Sequence, residues 1–319
     1  MFEGAGAGCQ TARRSLVSAV RAVEIPTVLV AIAVYSGYGI WTWFYRDLPV
    51  WLWAPLNAVW LTWYGSLQHE TIHNHPTRSR RVNGWLACVP LSLWIPYPIY
   101  RITHLHHHRH GGRRLTDVDG DPESFYRAPG TVSACGLLRR ALFAANCTLA
   151  GRITVGPALT LYRFWRLEIG RVMAGESGRR QIWARHLVGI TLVFLWTNCV
   201  CHIPVAVYAM LAIYPSISLS HLRSFAEHRA SPEPSLRTLS VESNSLGGLL
   251  FLNNNLHIAH HTHPRLPWYQ LPAIWRSMRA AAVHRELVID CGYLNMAIRY
   301  FWRPVISVEH PGFADETDR

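Results

Sequence analysis

Long apolar runs alternate with Arg-rich polar segments along the chain. A membrane-spanning helix needs about 20 consecutive, mostly apolar residues. Only the polar pair Arg46-Asp47 divides the first two long runs, and only His202 divides the last two. The pattern therefore predicts two hairpins of spanning helices, at residues 25–45 and 48–68 and at residues 182–201 and 203–222.

The other segments are predicted to lie on the membrane surface or outside it. The apolar run at residues 84–100 is interrupted by Pro90, Pro96 and Pro98. Because proline interrupts interior helix bonding, we expect an interfacial or re-entrant segment there. Residues 135–181 alternate apolar patches with Arg and Gly, as amphipathic surface helices do. The chain is thus predicted to be an all-α membrane protein with four transmembrane helices and a helical cap.

Charge and cysteine content favour a cap on the cytoplasmic side. All 31 basic residues are Arg, and the net charge is +12. The arginines are spread along the chain without a stacking motif beside them, so we do not expect nucleic-acid binding. Arg clusters flank the first hairpin on one side, as the positive-inside rule expects of cytoplasmic segments: Arg13, Arg14, Arg21, Arg78, Arg80 and Arg81. Seven cysteines without a CxxC pair are typical of a reducing compartment.

Three short histidine motifs carry the chemistry. "HETIH" places two histidines four residues apart, and "HLHHH" and "HIAHH" both have the form HxxHH. On a helix, residues i, i+3 and i+4 share a face, so each HxxHH is predicted to aim three imidazoles at one point. The eight histidines exceed the roughly four to six ligands of one Zn or Fe ion, so the pattern predicts two metals. They are His69, His73, His104, His107, His108, His257, His260 and His261.

An acidic turn, "TDVDGDPES", follows the second motif. The carboxylates of Asp117, Asp119 and Asp121 suit the free N–H groups of ligand imidazoles, a usual arrangement around metal sites. A solvated acidic turn is an equally good interpretation of the same residues.

The order "HETIH", "HLHHH", "HIAHH", with apolar spans between, resembles the membrane fatty acid desaturase and hydroxylase superfamily. "SFAEHR", "GDPESFY" and "HPRLPWYQLP" resemble bacterial acyl-chain desaturases in particular. The resemblance implies a mushroom-shaped helical protein with four spans and a cytoplasmic cap. It also implies a histidine-rich di-iron centre that uses O2 and two electrons to break unactivated C–H bonds.

The resemblance assigns residues one by one. The three histidine boxes of the family fall on the eight histidines above, and the extra ligand before the third box falls on His228. Where some relatives have an Asn one turn before that histidine, this chain has Ser224. The residues expected to contact the ligands from behind are Glu70, Asp117, Asp121, Ser224 and Asn253. The implied organisation is an N-terminal cytoplasmic segment (1–24), a membrane desaturase domain (25–272), and C-terminal cytoplasmic helices and tail (273–319).

The resulting prediction is an oxygen-dependent di-iron oxidase that acts on a fatty acyl chain, with desaturation as the favoured reaction. The protein is expected in a bacterial cytoplasmic membrane, with its active site on the cytoplasmic side. Hydroxylation and oxidative decarboxylation to a terminal alkene stay open, because the three reactions share one metal centre. The acyl carrier also stays open: free acid, acyl-CoA, acyl carrier protein or lipid. No flavin, haem or iron–sulfur motif is visible, so we expect electrons from a ferredoxin-like carrier and its NAD(P)H reductase.

Two other classes compete with this interpretation. "HETIH" is also the HExxH motif of zinc proteases, with His69 and His73 as ligands and Glu70 as general base. That alternative leaves both HxxHH motifs without a purpose. A metal transporter is the second alternative, but transport sites lie near the bilayer midplane, whereas these histidines lie at span ends and in the polar region.

Overall fold

The computed structural model describes residues 23–109, 113–289, 292–304 and 307–312. Arg13, Arg14 and Arg21, with nearly all of the predicted N-terminal segment, lie outside the described residues. The helices, in chain order, are α1 (Ile25–Trp43), α2 (Val50–Ile72), α3 (Arg80–Ala87), α4 (Tyr97–His107), α5 (Leu137–Asn146), α6 (Leu149–Thr154), α7 (Gly156–Met173), α8 (Arg179–Phe194), α9 (Val205–Tyr208), α10 (Tyr214–Ser224), α11 (Ser245–Leu250), α12 (His257–Thr262), α13 (Leu271–His284) and α14 (Gly292–Tyr300).

Helices α1 and α2 form the first predicted hairpin. A short 3-10 turn, Phe44–Arg46, joins them. Two indole groups of α2 donate hydrogen bonds to α1 carbonyls: Trp53 Nε1 to Trp41 O at 2.9 Å and Trp60 Nε1 to Ala33 O at 3.1 Å. The later residue of α2 pairs with the earlier residue of α1, so the helices run antiparallel. The aromatic residues that suit a membrane interface therefore also tie the two helices together.

The second hairpin is built from two interrupted helices. α8 continues into a π-helical turn, Leu195–Val200, and α9 reaches α10 through another, Ala209–Ile213. Trp196 Nε1 donates to Thr42 Oγ1 at 2.9 Å, which joins the two hairpins near their connecting turns. Further along, Thr62 Oγ1 donates to Ser216 O at 3.3 Å, joining α2 to α10. The four long helices thus form one bundle whose two turns lie at the same end.

Two of the four long helices are long and apolar enough to cross a membrane, Ile25–Arg46 and Val205–Ser224. α2 ends in the polar sequence "QHETI" and α8 begins with Arg179 and Arg180, which lowers the mean hydropathy of both. The number and pairing of the long helices follow the prediction. Four membrane spans stay a prediction.

The proline-rich run at residues 84–100 is not a continuous helix, as its prolines predict. α3 ends at Ala87, and α4 begins only at Tyr97. Between them, Leu91 is buried and its carbonyl oxygen accepts a hydrogen bond from the Tyr208 hydroxyl at 2.6 Å. The Leu93 carbonyl lies 2.9 Å from His186 Nε2 on α8. The segment therefore folds into the bundle and returns to the histidine end.

The cap contains helices and one small sheet. Residues 137–173 are largely helical, as the amphipathic pattern predicts. The all-α prediction is wrong in one detail, because β1 (Ser240–Val241) pairs in parallel with β2 (Val288–Ile289). The two-residue pair is too short to show as an alternating pattern in the sequence. It fastens the segment before α11 to the end of α13, and Phe225, Val241 and Met296 pack beside it.

We predict that Gly37→Ala weakens the first hairpin. A Cβ atom at Gly37 would lie 1.8 Å from Trp60 Nε1, and that indole is held by its bond to Ala33. Such overpacking costs about 1–3 kcal/mol of unfolding free energy. The measurement is denaturant unfolding in detergent micelles. The matched control is Gly39→Ala, where nothing lies within 4 Å and the added methyl group should be neutral or stabilising. Equal stability of the two variants would contradict the packing described here.

Candidate metal centre

The histidines are brought together where the bundle meets the cap. His69 lies in the last turn of α2, and His73 is the C-cap residue of that helix. His104 and His107 end α4, with His108 as its C-cap. The third motif forms the short helix α12. The helical conformation predicted from the spacing is therefore observed in all three motifs.

Nine histidines form two neighbouring groups, within each of which the ligand atoms lie within 4.8 Å of one another. The first group has five members: His69, His73, His104, His108 and His260. The second has four: His107, His228, His257 and His261. All nine residues predicted from the sequence are thus in one of these groups. That they bind metal is a proposal, developed below.

The prediction that each HxxHH aims at a single point is wrong. His104 and His108 join the five-histidine group, whereas His107, between them in sequence, joins the four-histidine group. α12 does the reverse, because His257 and His261 join the four-histidine group and His260 the other. Each motif gives its i and i+4 residues to one group and its i+3 residue to the other. The two groups are therefore interlocked through both helices.

The imidazole nitrogens face one another at very short range. In the five-histidine group, His104 Nε2 lies 3.1 Å from Nε2 of both His73 and His108, and His260 Nε2 lies 3.1 Å from His108 Nε2. In the other group, His257 Nε2 lies 2.9 Å from His228 Nε2 and 3.1 Å from His261 Nε2. Nitrogens that face one another at this separation could serve as the ligands of one metal ion in each group.

The composition of the two groups suits a metal pair. Imidazole nitrogens bind Zn, Cu, Fe and Ni, and a closed tetrahedral zinc site uses four ligands. Five donors in one group and four in the other, with ligand atoms within 4.8 Å of one another in each, could therefore hold two metal ions.

The opposite ring nitrogens are held by acceptors. His107 Nδ1 lies 2.9 Å from Asp121 Oδ1, and His104 Nδ1 lies 2.8 Å from Glu123 Oε1. In the second group, His257 Nδ1 lies 3.1 Å from Asn254 Oδ1. His228 Nδ1 faces the Arg237 carbonyl at 3.3 Å. These partners keep the Nδ1 proton in place, so that Nε2 presents its lone pair to the centre.

Of the five residues expected behind the ligands, Asp121 hydrogen-bonds a ligand imidazole. Glu70 Oε1 lies 3.8 Å from His69 Nδ1, and its other oxygen accepts from the Trp268 backbone N–H at 3.1 Å. The remaining three bond elsewhere in the described chain: Asp117 to the Asp119 N–H, Ser224 to the His221 carbonyl, and Asn253 to the Trp268 carbonyl.

Three further residues beside these histidines are not predicted from the sequence: Glu123, Asn254 and Glu227. Glu123 stands in the quoted "GDPES", and Asn254 and Glu227 lie three residues before His257 and one before His228. Glu227 Oε1 lies 3.6 Å from His257 Nδ1 and 3.1 Å from Arg223 Nη1. Asn254 and Glu227 could have been predicted from the sequence, because each is within three residues of a histidine of the two groups. Nothing in the sequence distinguishes Glu123 from its acidic neighbours.

Burial and mutual proximity keep most of the ligands neutral. Burial, followed by the neighbouring imidazoles, lowers the pKa of His257, His260 and His261 well below the usual value. For His107, burial lowers the pKa, but the Glu123 and Asp121 carboxylates outweigh it and raise the pKa to about 9. Neutral imidazoles are the form that binds metal, and the two carboxylates supply compensating negative charge.

Sequence comparison agrees with this geometry. The family model described as fatty acid desaturase matches residues 47–293. This range is most of the chain and includes all nine histidines. The chain belongs to the fatty acid desaturase family. Membership makes it an oxidoreductase of the desaturase and hydroxylase type with a fatty acyl substrate. Members of this family are generally membrane proteins, which agrees with the two apolar helices of this desaturase-family chain. No curated protein matches the sequence significantly.

We predict that Asp121→Asn weakens metal binding by about 10- to 100-fold, because the amide cannot hold His107 as the carboxylate does. The measurement is the metal retained by purified protein against increasing chelator concentrations. The control is Asp117→Asn, four residues away in the same turn, whose side chain accepts from the Asp119 N–H instead. If the two variants lose metal alike, Asp121 does not act through His107.

Proposed function

We propose that this protein is a membrane-bound di-iron oxidase that introduces a double bond into a fatty acyl chain, using O2 and electrons from an external donor. The observation that carries the proposal is the interlocked pair of histidine groups in a chain of the desaturase family. Five nitrogen donors in one group and four in the other suit two redox-active ions.

The residues that would hold the two iron ions divide as the two groups do. His69, His73, His104, His108 and His260 would hold one ion, and His107, His228, His257 and His261 the other. When bound, such a pair supplies the redox chemistry by which O2 and two electrons remove hydrogen from an unactivated C–H bond. Imidazole alone does not select iron over other ions, and the choice of iron rests on the family.

The protein's own part is to orient the ligands and keep water away. Asp121, Glu123 and Asn254 fix three imidazole rings through Nδ1. His257 and His260 are each 2% exposed, so they are shielded from solvent. A dry, pre-ordered site limits side reactions of a strong oxidant with water.

Desaturation is proposed over the two alternatives on narrower grounds. The metal centre does not distinguish desaturation from hydroxylation or decarboxylative alkene formation, because all three reactions share it. The choice rests on "GDPESFY" and "HPRLPWYQLP", which resemble acyl desaturases. The zinc protease alternative fits poorly, because Glu70 bonds the Trp268 N–H and three more histidines surround His69 and His73. The transporter alternative is disfavoured by family membership.

We further propose a bacterial cytoplasmic membrane, four spans, and both termini and the metal centre in the cytoplasm. Within the chain, residues 25–272 would form the catalytic domain, between the N-terminal segment 1–24 and the C-terminal helices and tail 273–319. A ferredoxin-like protein with its NAD(P)H reductase would supply electrons. The Arg excess supports this, because a basic surface steers an acidic carrier toward it.

The proposed reaction predicts new unsaturated acyl chains in a heterologous host. Lipid mass spectrometry with and without the protein is the measurement. Replacing His107 or His260 by Ala should abolish the product, since each removes a ligand from one group, whereas His284→Ala should leave it unchanged because His284 lies outside both groups. Hydroxy acids or terminal alkenes in place of internal double bonds would exclude desaturation and keep the oxidase.

The proposed topology predicts that a reporter fused after Tyr100 reads as cytoplasmic. Tyr100 lies in α4, directly after the segment that folds into the bundle and returns. Fusions after Asp47 and after His202, at the two hairpin turns, should report the opposite side. A periplasmic reading at Tyr100 would mean that residues 84–100 cross the membrane.

A further inference from the structure

A cavity of about 490 Å³ lies between α11, α14 and the end of α10. Its volume falls within the range of small-molecule sites. Leu222, Leu250, Phe251 and the Tyr293 ring give it an apolar side, and Glu242 and Ser243 give it a polar side. An amphiphile with a long apolar chain fits this division.

The cavity lies at the level where the apolar helices end. Leu222 is in the last turn of the apolar helix Val205–Ser224. α11 is fastened to α2 by hydrogen bonds from Trp63 Nε1 to Leu249 O (2.9 Å) and from Ser66 Oγ to Leu250 O (3.4 Å). Trp63 and Ser66 precede His69 by fewer than two helical turns. The cavity is thus close to both the bilayer boundary and the metal centre.

The helices around the opening present apolar side chains outward. Leu246 on α11 is 78% exposed, and Leu294 on α14, which lines the cavity, is 76% exposed. Ile298 and Trp302 continue this surface beyond the cavity. Exposed apolar side chains beside an indole are typical of contact with the lipid interface. The opening is therefore suited to face lipid.

The inner wall leads toward the four-histidine group. The Tyr293 ring packs on Phe251 with centroids 5.2 Å apart, and its hydroxyl is buried without a hydrogen-bond partner among the described residues. That hydroxyl lies within electrostatic range of Arg223 and Glu227. Glu227 in turn lies 3.6 Å from His257 Nδ1. One layer of side chains separates the cavity from a ligand imidazole.

The charge of the cavity discriminates among acyl carriers. None of the described residues that line it is basic, and its acidic member, Glu242, is paired with Arg279 at 2.6 and 2.8 Å. Phosphorylated carriers such as coenzyme A are recognised by Arg or Lys, which this cavity does not offer. A zwitterionic or uncharged lipid brings no net negative charge, so its ester-linked acyl chain meets no such requirement.

We propose that this cavity admits the ester-linked acyl chain of a membrane lipid from the adjoining leaflet, rather than an acyl chain on a phosphorylated soluble carrier. The inference rests on the proposed function for the acyl nature of the substrate. The chain lies along Leu222, Leu250 and Phe251, with its distal part against Tyr293 on the side of the cavity nearest the metal centre.

The test is photocrosslinking of the full-length, metal-loaded protein. Vesicles of phosphatidylcholine carrying a diazirine-labelled palmitoyl chain are compared with diazirine-labelled palmitoyl-CoA added to unlabelled vesicles. The lipid probe should label peptides that contain Leu250 and Tyr293, and excess unlabelled palmitoyl-CoA should not compete. Leu294→Glu should lower this labelling about tenfold, because it removes an apolar contact and adds a second negative charge near Glu242.

Leu138→Glu is the matched control, since Leu138 is 75% exposed on α5 and does not line the cavity. Its labelling should equal that of the wild type, and unchanged metal content in both variants shows that they fold. Equal labelling by palmitoyl-CoA, or labelling insensitive to Leu294→Glu, would overturn the proposal. Cavity labelling, together with no oxidised acyl product in the lipids of the heterologous host, would leave the site standing and refute the proposed function. Oxidised acyl product formed without labelling of the cavity would support the proposed function and refute this cavity as the acyl site.

Discussion

Nine imidazole rings packed with their nitrogens facing inward constrain everything else in this protein. Because Glu123 and Asn254 hold the Nδ1 protons of His104 and His257, the Nε2 atoms of these two rings carry lone pairs. Lone pairs that face neighbouring ring nitrogens at 2.9 to 3.1 Å repel one another, and hydrogen bonds cannot relieve all of them, since each neutral ring has one proton. A cation at the centre of each group turns this repulsion into attraction. Metal binding would therefore also stabilise the fold.

The bundle supplies the rigidity that such an arrangement needs. α2 runs without interruption from the hairpin turn to His69, so the position of that ligand is fixed by the packing of α1 and α10 against α2. The segment around Leu91 fills the bundle and returns directly into α4, which carries the second motif. Two of the three motifs are thus extensions of elements anchored among the apolar helices. The third is held by the cap.

The sequence was sufficient to predict which nine histidines come together but not their division into two groups. Along a helix, residue i+4 is turned by about 40° from residue i and residue i+3 by about 60° in the opposite direction. The side chains on one face can therefore reach two different points, and His107 and His260 each join the group that the other two histidines of their motif do not join. The spacing alone predicts only that the three histidines share a face. Which point each ring reaches depends on how α4 and α12 approach each other, a tertiary property.

The same limit applies to the acceptors behind the rings. Asp117 and Asp121 stand in one turn and are chemically identical, yet only Asp121 lies against His107. The distinction arises from the fold of the turn, in which Asp121 also accepts the backbone N–H groups of Thr116 and Glu123. The long helices and the proline break were predictable because they depend on local composition. The two-residue parallel sheet was not, because its strands are 47 residues apart or more and carry no periodic signal.

The metal centre by itself does not choose the reaction. Desaturation, hydroxylation and decarboxylation all begin with the same C–H bond cleavage, and they diverge in what lies next to the carbon that has lost hydrogen. In this structure the side chains that would decide are not the nine histidines. They are the residues between the four-histidine group and the lipid-facing cavity: Arg223, Glu227, Phe251 and Tyr293. If the acyl chain occupies the cavity as proposed, the sizes of these side chains would determine how it bends toward the centre, and so which second hydrogen lies within reach. The nine histidines would then supply the oxidising chemistry, and this intervening layer would select its outcome.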